Sequence, residues 1–222
     1  YTRKGITQMA FIDVIKAKAK ADKKRIVLPE GMDRRIWEAA VEIVKDDIAD
    51  LTVIATEEDV KNNTEGLNLA GINIIDPVRS DKLEKYTADL AELRRMKGMT
   101  IDEARELLTT DYVYYACMML RENEADGVVS GACHSTANTL RPALQLVKAK
   151  PGVKLVSAFF IMVVPDCEYG ANGTFLFADC GLEQNPDPEK LAAIAVDSAN
   201  SFAKLVEEEP LVAFLSHSTK GS

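Results

Sequence analysis

The chain has 222 residues, of which 47% are apolar and 28% are charged, values that are typical of a folded globular protein. Its 35 acidic residues outnumber 27 lysines and arginines, which gives a formal net charge of −8. This composition excludes disordered and fibrous classes, and it argues against a general nucleic-acid binder, because such proteins normally carry a basic excess. An anionic ligand would have to be held by locally placed arginine, lysine or backbone N–H groups.

Strand-like runs and helical spacing alternate along the first two thirds of the chain. Strands are predicted at residues 25–28, 51–55, 72–75 and 127–130. Helices are predicted at residues 9–22, 36–44, 83–93, 112–122 and 138–147. Helix-start patterns occur at Thr56 and Thr100, where an acidic residue follows three positions later as in a capping box. This alternation predicts an α/β fold whose sheet is mostly parallel, with helices on both faces.

The predicted secondary structure changes at Pro151-Gly152, from alternating strands and helices to β-rich segments. We interpret this point as a domain boundary between residues 1–150 and 151–222. The later part is predicted to hold β-rich segments at residues 153–164 and 174–178, a tight turn at Asn172-Gly173, a helix from Asp187-Pro188 to Glu207, and a last strand at 211–215. The chain opens at Tyr1, and Met9 precedes the first helical pattern. We interpret residues 1–8 as a leader and the other end as a truncation.

Neither a membrane segment nor a metal site is indicated. The longest nearly apolar run, residues 155–164, is about half as long as a membrane-spanning helix, and no signal peptide opens the chain. The cysteines form no Cys-x-x-Cys pair, and only two histidines, His134 and His217, could join them. The cysteines are Cys117, Cys133, Cys167 and Cys180. We therefore expect a cytoplasmic protein with reduced thiols and no bound metal.

The most informative candidate site follows the predicted strand at 127–130. Ligands of open α/β sheets bind beyond the carboxyl ends of the strands, and small residues there let the backbone approach a ligand. Hydroxyl and amide groups at a helix N-terminus favour an anion, which an arginine could grip in bidentate fashion. The candidate binding residues are Ser130, Ser135, Thr136 and Arg141. The alternative is a Ser/Thr-capped helix whose arginine meets only solvent.

Two further strand ends carry weaker signals. The last seven residues offer hydroxyls and a lysine that could cradle phosphate, although their spacing is not that of a nucleotide P-loop. The candidates are Ser216, Ser218, Thr219 and Lys220. Cys167 lies between Asp166 and Glu168, whose charges would disfavour a thiolate and therefore argue against a nucleophile. The two acids could bind a metal. The alternative for the last seven residues is a polar loop, and the alternative for Asp166 and Glu168 is a pair of ordinary loop acids.

Arginines near predicted helix ends are the remaining candidates for an anion. Arg94 begins a basic spot that includes Lys97, and Arg35 follows another strand end, although both positions would also suit a solvated helix end. His134 lies inside the run after the strand at 127–130, where a polar contact is plausible. The sequence contains no Gly-x-Gly-x-x-Gly and no Gly-x-Ser-x-Gly, so the dinucleotide and common hydrolase fingerprints are missing.

Six stretches of the sequence together carry a specific resemblance to a known family. They are residues 111–116, 126–142, 157–161, 164–170, 173–179 and 216–222, with a weaker match at residues 28–30. In these stretches the chain resembles the bacterial and archaeal phosphate acetyltransferases. Any one stretch alone would be weak, but together they are specific and they span almost the whole chain.

The resemblance implies interconversion of acetyl phosphate plus coenzyme A with acetyl-CoA plus orthophosphate. It implies two three-layer α/β/α domains similar to the isocitrate and isopropylmalate dehydrogenases, usually as a homodimer, with no tightly bound cofactor and no nucleic-acid or membrane partner. Family arginines that engage coenzyme A match Arg94 and Arg141, and a further one matches Arg35. The family's catalytic serine, arginine and aspartate are expected beyond Ser222, so no catalytic residue is assigned and we expect little turnover from these 222 residues.

Three alternatives remain open. A phosphate butyryltransferase would differ in its turnover of acetyl and butyryl phosphate. A non-catalytic acetyl-CoA-sensing domain would bind the same coenzyme without transferring the acyl group. An unrelated binding module would show no stabilisation by coenzyme A, whereas a ligand at about 100 times its dissociation constant adds roughly 2.7 kcal/mol.

Overall fold

The computed structural model describes residues 11–153 and 155–215. Residues Lys16–Lys148 form one compact unit, and the described residues of Tyr1–Ile15 and Ala149–Ser222 form a second. We call them the larger and the smaller unit. The assignment of domains at residues 1–150 and 151–222 stays a prediction, because clustering of contacts does not show that a segment folds alone. The proposed leader at residues 1–8 lies outside the described residues.

The larger unit contains a four-stranded parallel sheet. Its strands are β1 (Arg25–Leu28), β2 (Asp50–Ile54), β3 (Ile72–Ile75) and β4 (Gly127–Val128). Their order is β3-β2-β1-β4, with every neighbouring pair parallel. The chain therefore builds outward from β1 through β2 to β3 and then returns to the other side of β1. This reversal makes the carboxyl ends of β1 and β4 a topological switch point, where open α/β sheets bind ligands.

The predicted helices of the larger unit are present with small shifts at their ends. They are α1 (Phe11–Ala21), α2 (Arg34–Asp46), α3 (Glu57–Asn63), α4 (Leu83–Arg94), α5 (Ile101–Thr110), α6 (Tyr112–Arg121) and α7 (Thr136–Pro142), of which α1 begins in the smaller unit. Both predicted helix starts are confirmed, because the hydroxyls of Thr56 and Thr100 accept from the third helical N–H in reciprocal capping boxes. The helix predicted at 138–147 is only partly correct, since it changes to a π-helical turn at Ala143–Val147.

The packing of the larger unit explains why α6 has so few polar residues. Residues 112–119 are all buried, so this helix lies in the interior and does not show the one-sided pattern of a surface helix. A separate apolar cluster packs α2 against the sheet around Trp37, which is fully buried. The indole Nε1–H of Trp37 donates to the carbonyl oxygen of Gly31 at 2.7 Å, which fixes the segment that follows β1.

The smaller unit contains an antiparallel pair and one long helix. Strands β5 (Phe159–Val163) and β6 (Thr174–Ala178) pair antiparallel, with Phe159 opposite Ala178. Helix α8 (Pro188–Val206) begins as predicted, with the Asp187 carboxylate accepting from the Lys190 N–H at 2.8 Å and proline in the first turn. A cavity of about 740 Å³ lies between β6, α8 and residues 208–215.

The strand predicted at residues 211–215 is wrong. Within the described residues this segment pairs with no other strand, and Leu211 and Leu215 are 94% and 93% exposed. An apolar run can become a strand only where a neighbouring backbone accepts its hydrogen bonds, and composition alone does not supply that neighbour. The β-rich segment predicted from residue 153 likewise becomes a strand only from Phe159.

The described helices include none whose length and apolar content would suffice to cross a bilayer.

Candidate functional site

The site begins with Glu30, which follows β1 and is fully buried. Because β1 and β4 are neighbours, the segment that follows β4 lies directly beside it. Residues 131–134 of that segment wrap around the Glu30 carboxylate. We call these five residues, Glu30 and residues 131–134, the Glu30 cluster. It lies at the switch point of the sheet, where the sequence predicted a ligand.

Four consecutive backbone N–H groups donate to the Glu30 carboxylate. Gly131 and Ala132 donate to Oε2 at 2.8 and 2.9 Å, and Cys133 and His134 donate to Oε1 at 2.9 and 3.0 Å. The ring Nδ1 of His134 also lies 2.7 Å from Oε1. Gly131 has φ = 120°, a backbone conformation that residues with a Cβ rarely adopt. The glycine therefore allows the chain to turn around the carboxylate.

These contacts decide the charge of the cluster. Burial by itself would raise the pKa of Glu30, but the N–H of Cys133, the ring of His134 and the other N–H groups together lower that pKa to about 2. Burial, followed by the contact with Glu30, raises the pKa of the Cys133 thiol to about 11. At neutral pH Glu30 is therefore a carboxylate and Cys133 is a neutral thiol, which is a poor nucleophile.

Glu30, Cys133 and His134 offer ligand atoms within 4.8 Å of one another, a spacing that could hold a metal ion. The chemistry of this donor set does not fit a metal well, however. Both Glu30 oxygens already accept backbone N–H groups, and the thiol would have to lose a proton that it holds firmly. We therefore interpret the cluster as a hydrogen-bonded support for the loop.

Arg35 is brought to the same loop. Its Nη2 donates to the carbonyl oxygen of Ala132 at 2.8 Å, and its guanidinium group also pairs with the Asp33 carboxylate, where the shortest contact is 2.6 Å. The side chain is still 69% exposed. Arg35 thus lies beside the Glu30 cluster, but part of its charge is offset by Asp33.

Arg94 and Arg141 both lie within electrostatic range of one buried side chain, Tyr114. Burial raises the pKa of the Tyr114 hydroxyl, as does the Asp111 carboxylate, while the guanidinium groups of Arg141 and Arg94 oppose that rise. The hydroxyl donates to Oε1 of Gln145 at 2.9 Å. Tyr114 therefore lies within electrostatic range of two arginines that are 47 positions apart in the sequence.

Arg94 also lines a shallow cavity of about 430 Å³ between α4 and α5, together with Lys97, Met99, Glu103, Glu106 and Thr110. Its Nε is buried and has no hydrogen-bond partner among the described residues. A buried donor without a partner costs free energy, which makes Arg94 a candidate for binding an anion.

The hydroxyl candidates have different environments. Ser135 accepts from the Asn138 N–H at 3.2 Å as the N-cap of α7, so its side chain is already used within the helix. Thr136 is the exposed first residue of α7, and the buried Oγ of Ser130 has no partner among the described residues. The other four candidates lie outside the described residues; they are Ser216, Ser218, Thr219 and Lys220.

Sequence reasoning missed Glu30 and Tyr114 as parts of the site. A signal for Glu30 was available, because an acidic residue two positions after a strand occupies the ligand-binding edge of a parallel sheet. Tyr114 gave no such signal, since one tyrosine in an apolar helix is indistinguishable from a core residue. Only the packing of α6 beside α7 brings it near Arg141.

Comparisons with known proteins identify the family of the chain. A sequence model of the family described as phosphate acetyl/butaryl transferase matches residues 10–222. The phosphate acetyltransferase of Thermoanaerobacterium thermosaccharolyticum is 51% identical over 214 residues, which are 96% of this chain and 65% of that protein. The phosphate acetyltransferase of Acetivibrio thermocellus is 52% identical over 96% of this chain and 64% of its own length.

Solved structures give the same result. A phosphotransacetylase from Streptococcus pyogenes matches with a TM-score of 0.83 and 33% identity, over 98% of this chain and 64% of that one. The EutD phosphotransacetylase from Staphylococcus aureus matches with a TM-score of 0.78 and 35% identity, over 88% of this chain and 58% of that one. The chain spans slightly less than two thirds of the length of these relatives. It belongs to the phosphate acetyl/butaryl transferase family.

Proposed function

We propose that this chain provides the coenzyme A and phosphoryl binding part of a phosphate acetyltransferase, which interconverts acetyl phosphate plus coenzyme A with acetyl-CoA plus orthophosphate. The observation that carries the proposal is the family match over residues 10–222, supported by relatives of that name at 51% and 52% identity. Arg94 and Arg141 support it as well, because both cations lie within electrostatic range of the same side chain, Tyr114.

The chemistry needs binding and orientation more than a reactive side chain in this chain. The coenzyme A sulfur forms a bond to the acetyl carbonyl carbon, the bond from that carbon to the bridging oxygen breaks, and phosphate leaves with the electron pair. The thiol proton passes to a base, and fixed cations and N–H groups stabilise the negative charge that develops. Holding both substrates together supplies the orientation term.

Within this scheme Arg94 and Arg141 bind the phosphates of coenzyme A. Arg94 suits that role because its buried Nε lacks a partner among the described residues. Arg35 and the loop at 131–134 lie at the switch point, where the phosphoryl group would bind. Additional hydroxyl contacts are proposed for Ser130, Thr136, Ser216, Ser218 and Thr219. An ammonium contact is proposed for Lys220.

Coenzyme A binding by this chain tests the proposal. We expect Arg94→Ala and Arg141→Ala each to weaken coenzyme A affinity roughly tenfold to a hundredfold, because each removes a charge-assisted hydrogen bond. The exposed residue Lys148 is the matched control, and Lys148→Ala should bind like the wild type. Isothermal titration calorimetry measures the affinities. If the wild-type chain does not bind coenzyme A, or if all three variants bind equally, the assignment is wrong.

A chimera separates the acetyl, butyryl and sensing alternatives. In it the 214 aligned residues of this chain replace their counterparts in the Thermoanaerobacterium thermosaccharolyticum relative. We expect acetyl-CoA to form from acetyl phosphate and coenzyme A, at a higher kcat/KM than butyryl-CoA forms from butyryl phosphate. Faster butyryl transfer would favour a phosphate butyryltransferase. A folded chimera that binds coenzyme A without turnover would favour a sensing domain.

We further propose the finer features that the resemblance implies. The parallel order β3-β2-β1-β4 supports a three-layer α/β/α domain similar to those of the isocitrate and isopropylmalate dehydrogenases. The complete protein would be a cytoplasmic homodimer that uses coenzyme A as a substrate, has no tightly bound cofactor, and has neither nucleic acid nor membrane as a partner. The acidic net charge of −8 supports the absence of a nucleic-acid partner.

A further inference from the structure

Among the residues that the structure describes, Glu30 is the one charged residue that is buried. A buried carboxylate has a high desolvation cost, and replacing a buried charged group with a well-packed apolar residue often leaves the stability of a protein unchanged. Here the cost is offset by four backbone N–H groups of a single loop, about a hundred positions away in the sequence. The carboxylate therefore fixes the backbone conformation of residues 131–134.

The same carboxylate determines how His134 presents its ring. An ionised carboxylate can only accept hydrogen bonds, so the Nδ1 atom 2.7 Å from Glu30 must carry a proton. Nε2 lies on the opposite side of the imidazole ring and therefore faces away from Glu30. The His134 side chain is 18% exposed, so the ring is held in place but remains within reach of a ligand.

We propose that Glu30 is a positioning residue, which holds the loop at 131–134 and orients His134 so that Nε2, the acceptor nitrogen of the Nδ1–H tautomer, accepts a hydrogen bond from the P–OH group of bound orthophosphate. The proposal rests on the function proposed above for the switch point. Carboxylate–histidine pairs at other sites act in the same way: the carboxylate sets the tautomer, and the lone pair of the second ring nitrogen contacts the ligand. Arg35, which donates to Ala132 in the same loop, supplies positive charge beside it.

Two substitutions separate the support of the loop from the contact with phosphate. In His134→Asn the amide nitrogen can replace Nδ1 as the donor to Glu30, but nothing replaces Nε2. We expect this variant to keep the stability of the wild type and to lose roughly tenfold in affinity for inorganic phosphate, measured by calorimetry. If His134→Asn binds phosphate as the wild type does, His134 has no contact with the anion.

Glu30→Gln leaves one acceptor oxygen for four N–H groups and places an amide donor against them. We expect the ring of His134 to move from the Nδ1–H form toward the Nε2–H form, and phosphate affinity to fall at least tenfold. Glu30→Asp keeps the negative charge and should partly restore both the Nδ1–H form of His134 and the affinity for phosphate. The control is Glu42→Gln, an exposed acid on α2 that should change neither.

The nitrogen shifts of the histidine rings, read by ¹⁵N nuclear magnetic resonance, report the tautomer directly. The chain has two histidines, and comparison with His134→Asn assigns the signals of His134. Adding inorganic phosphate should shift Nε2 of His134, whereas an unchanged His134 spectrum in Glu30→Gln or with phosphate would overturn the proposal. If coenzyme A fails to bind while these results hold, the proposed function is wrong and the role of Glu30 stands.

Discussion

Glu30→Gln is expected to lower the free energy of unfolding by about 3 kcal/mol at pH 7, and the difference from the wild type should shrink as the pH falls. The pKa of Glu30 is lowered from 4.5 to about 2 in the folded chain. A carboxyl group whose folded pKa is depressed contributes stability that is present above its unfolded pKa and is lost as the pH falls through the folded value. The shift corresponds to roughly 3 kcal/mol, at 1.36 kcal/mol per unit.

Urea unfolding at a series of pH values measures this difference. Most of it should be present above pH 4.5 and should disappear toward pH 2, which is the window set by the two pKa values. The exposed acid Glu42 offers the control, because Glu42→Gln should stay within about 0.5 kcal/mol of the wild type throughout. A gap for Glu30→Gln that did not depend on pH would mean that the carboxylate is not held in its charged form by the loop.

Trp37→Ala should be the most destabilising substitution of a single apolar residue near the site, at about 3–5 kcal/mol. Trp37 is fully buried against the sheet, so alanine would leave a large cavity. Its Nε1–H also donates to the Gly31 carbonyl oxygen at 2.7 Å, next to Glu30. Trp37→Phe fills much of the space but leaves that carbonyl without its donor, so we expect a smaller cost of about 1–3 kcal/mol.

Far-ultraviolet circular dichroism should follow the unfolding of these variants, because Trp37 is the single tryptophan of the chain and its fluorescence is lost with it. Met96 is 89% exposed and provides the control, since Met96→Ala should change stability by less than about 0.5 kcal/mol. If Trp37→Phe were as stable as the wild type, the hydrogen bond to Gly31 would contribute nothing. Trp37→Ala close to the wild type would contradict its place in the core.

The two proposed binding regions differ in how far they are prepared for a ligand. The loop at 131–134 is fixed by Glu30, and Arg35 reaches it already paired with Asp33. Arg94 instead keeps a buried Nε without a partner among the described residues. Preorganisation lowers the entropy cost of binding, whereas an unpaired buried donor gains a hydrogen bond only when the ligand arrives. The first effect lowers the entropy cost of a ligand contact at the loop, and the second favours an anion at Arg94.

The sequence by itself determined the features that depend on near neighbours. The capping boxes at Thr56 and Thr100 need an acceptor and a donor only three residues apart, and the start of α8 needs only Asp187 and Pro188. Strand and helix alternation likewise follows from local periodicity, which is why the α/β class was predictable. The resemblance to a family named Arg35, Arg94 and Arg141, but it gave no geometry.

Only the tertiary structure decided which distant residues meet. The sequence does not state that β4 returns beside β1, and that pairing is what brings Glu30 to residues 131–134. The packing of α6 against α7 brings Arg141 to Tyr114 for the same reason. The apolar segment at 211–215 has a strand-like sequence but forms no strand, because a strand forms only where a partner backbone is present. Long-range pairing depends on the whole set of competing contacts, and no local pattern records it.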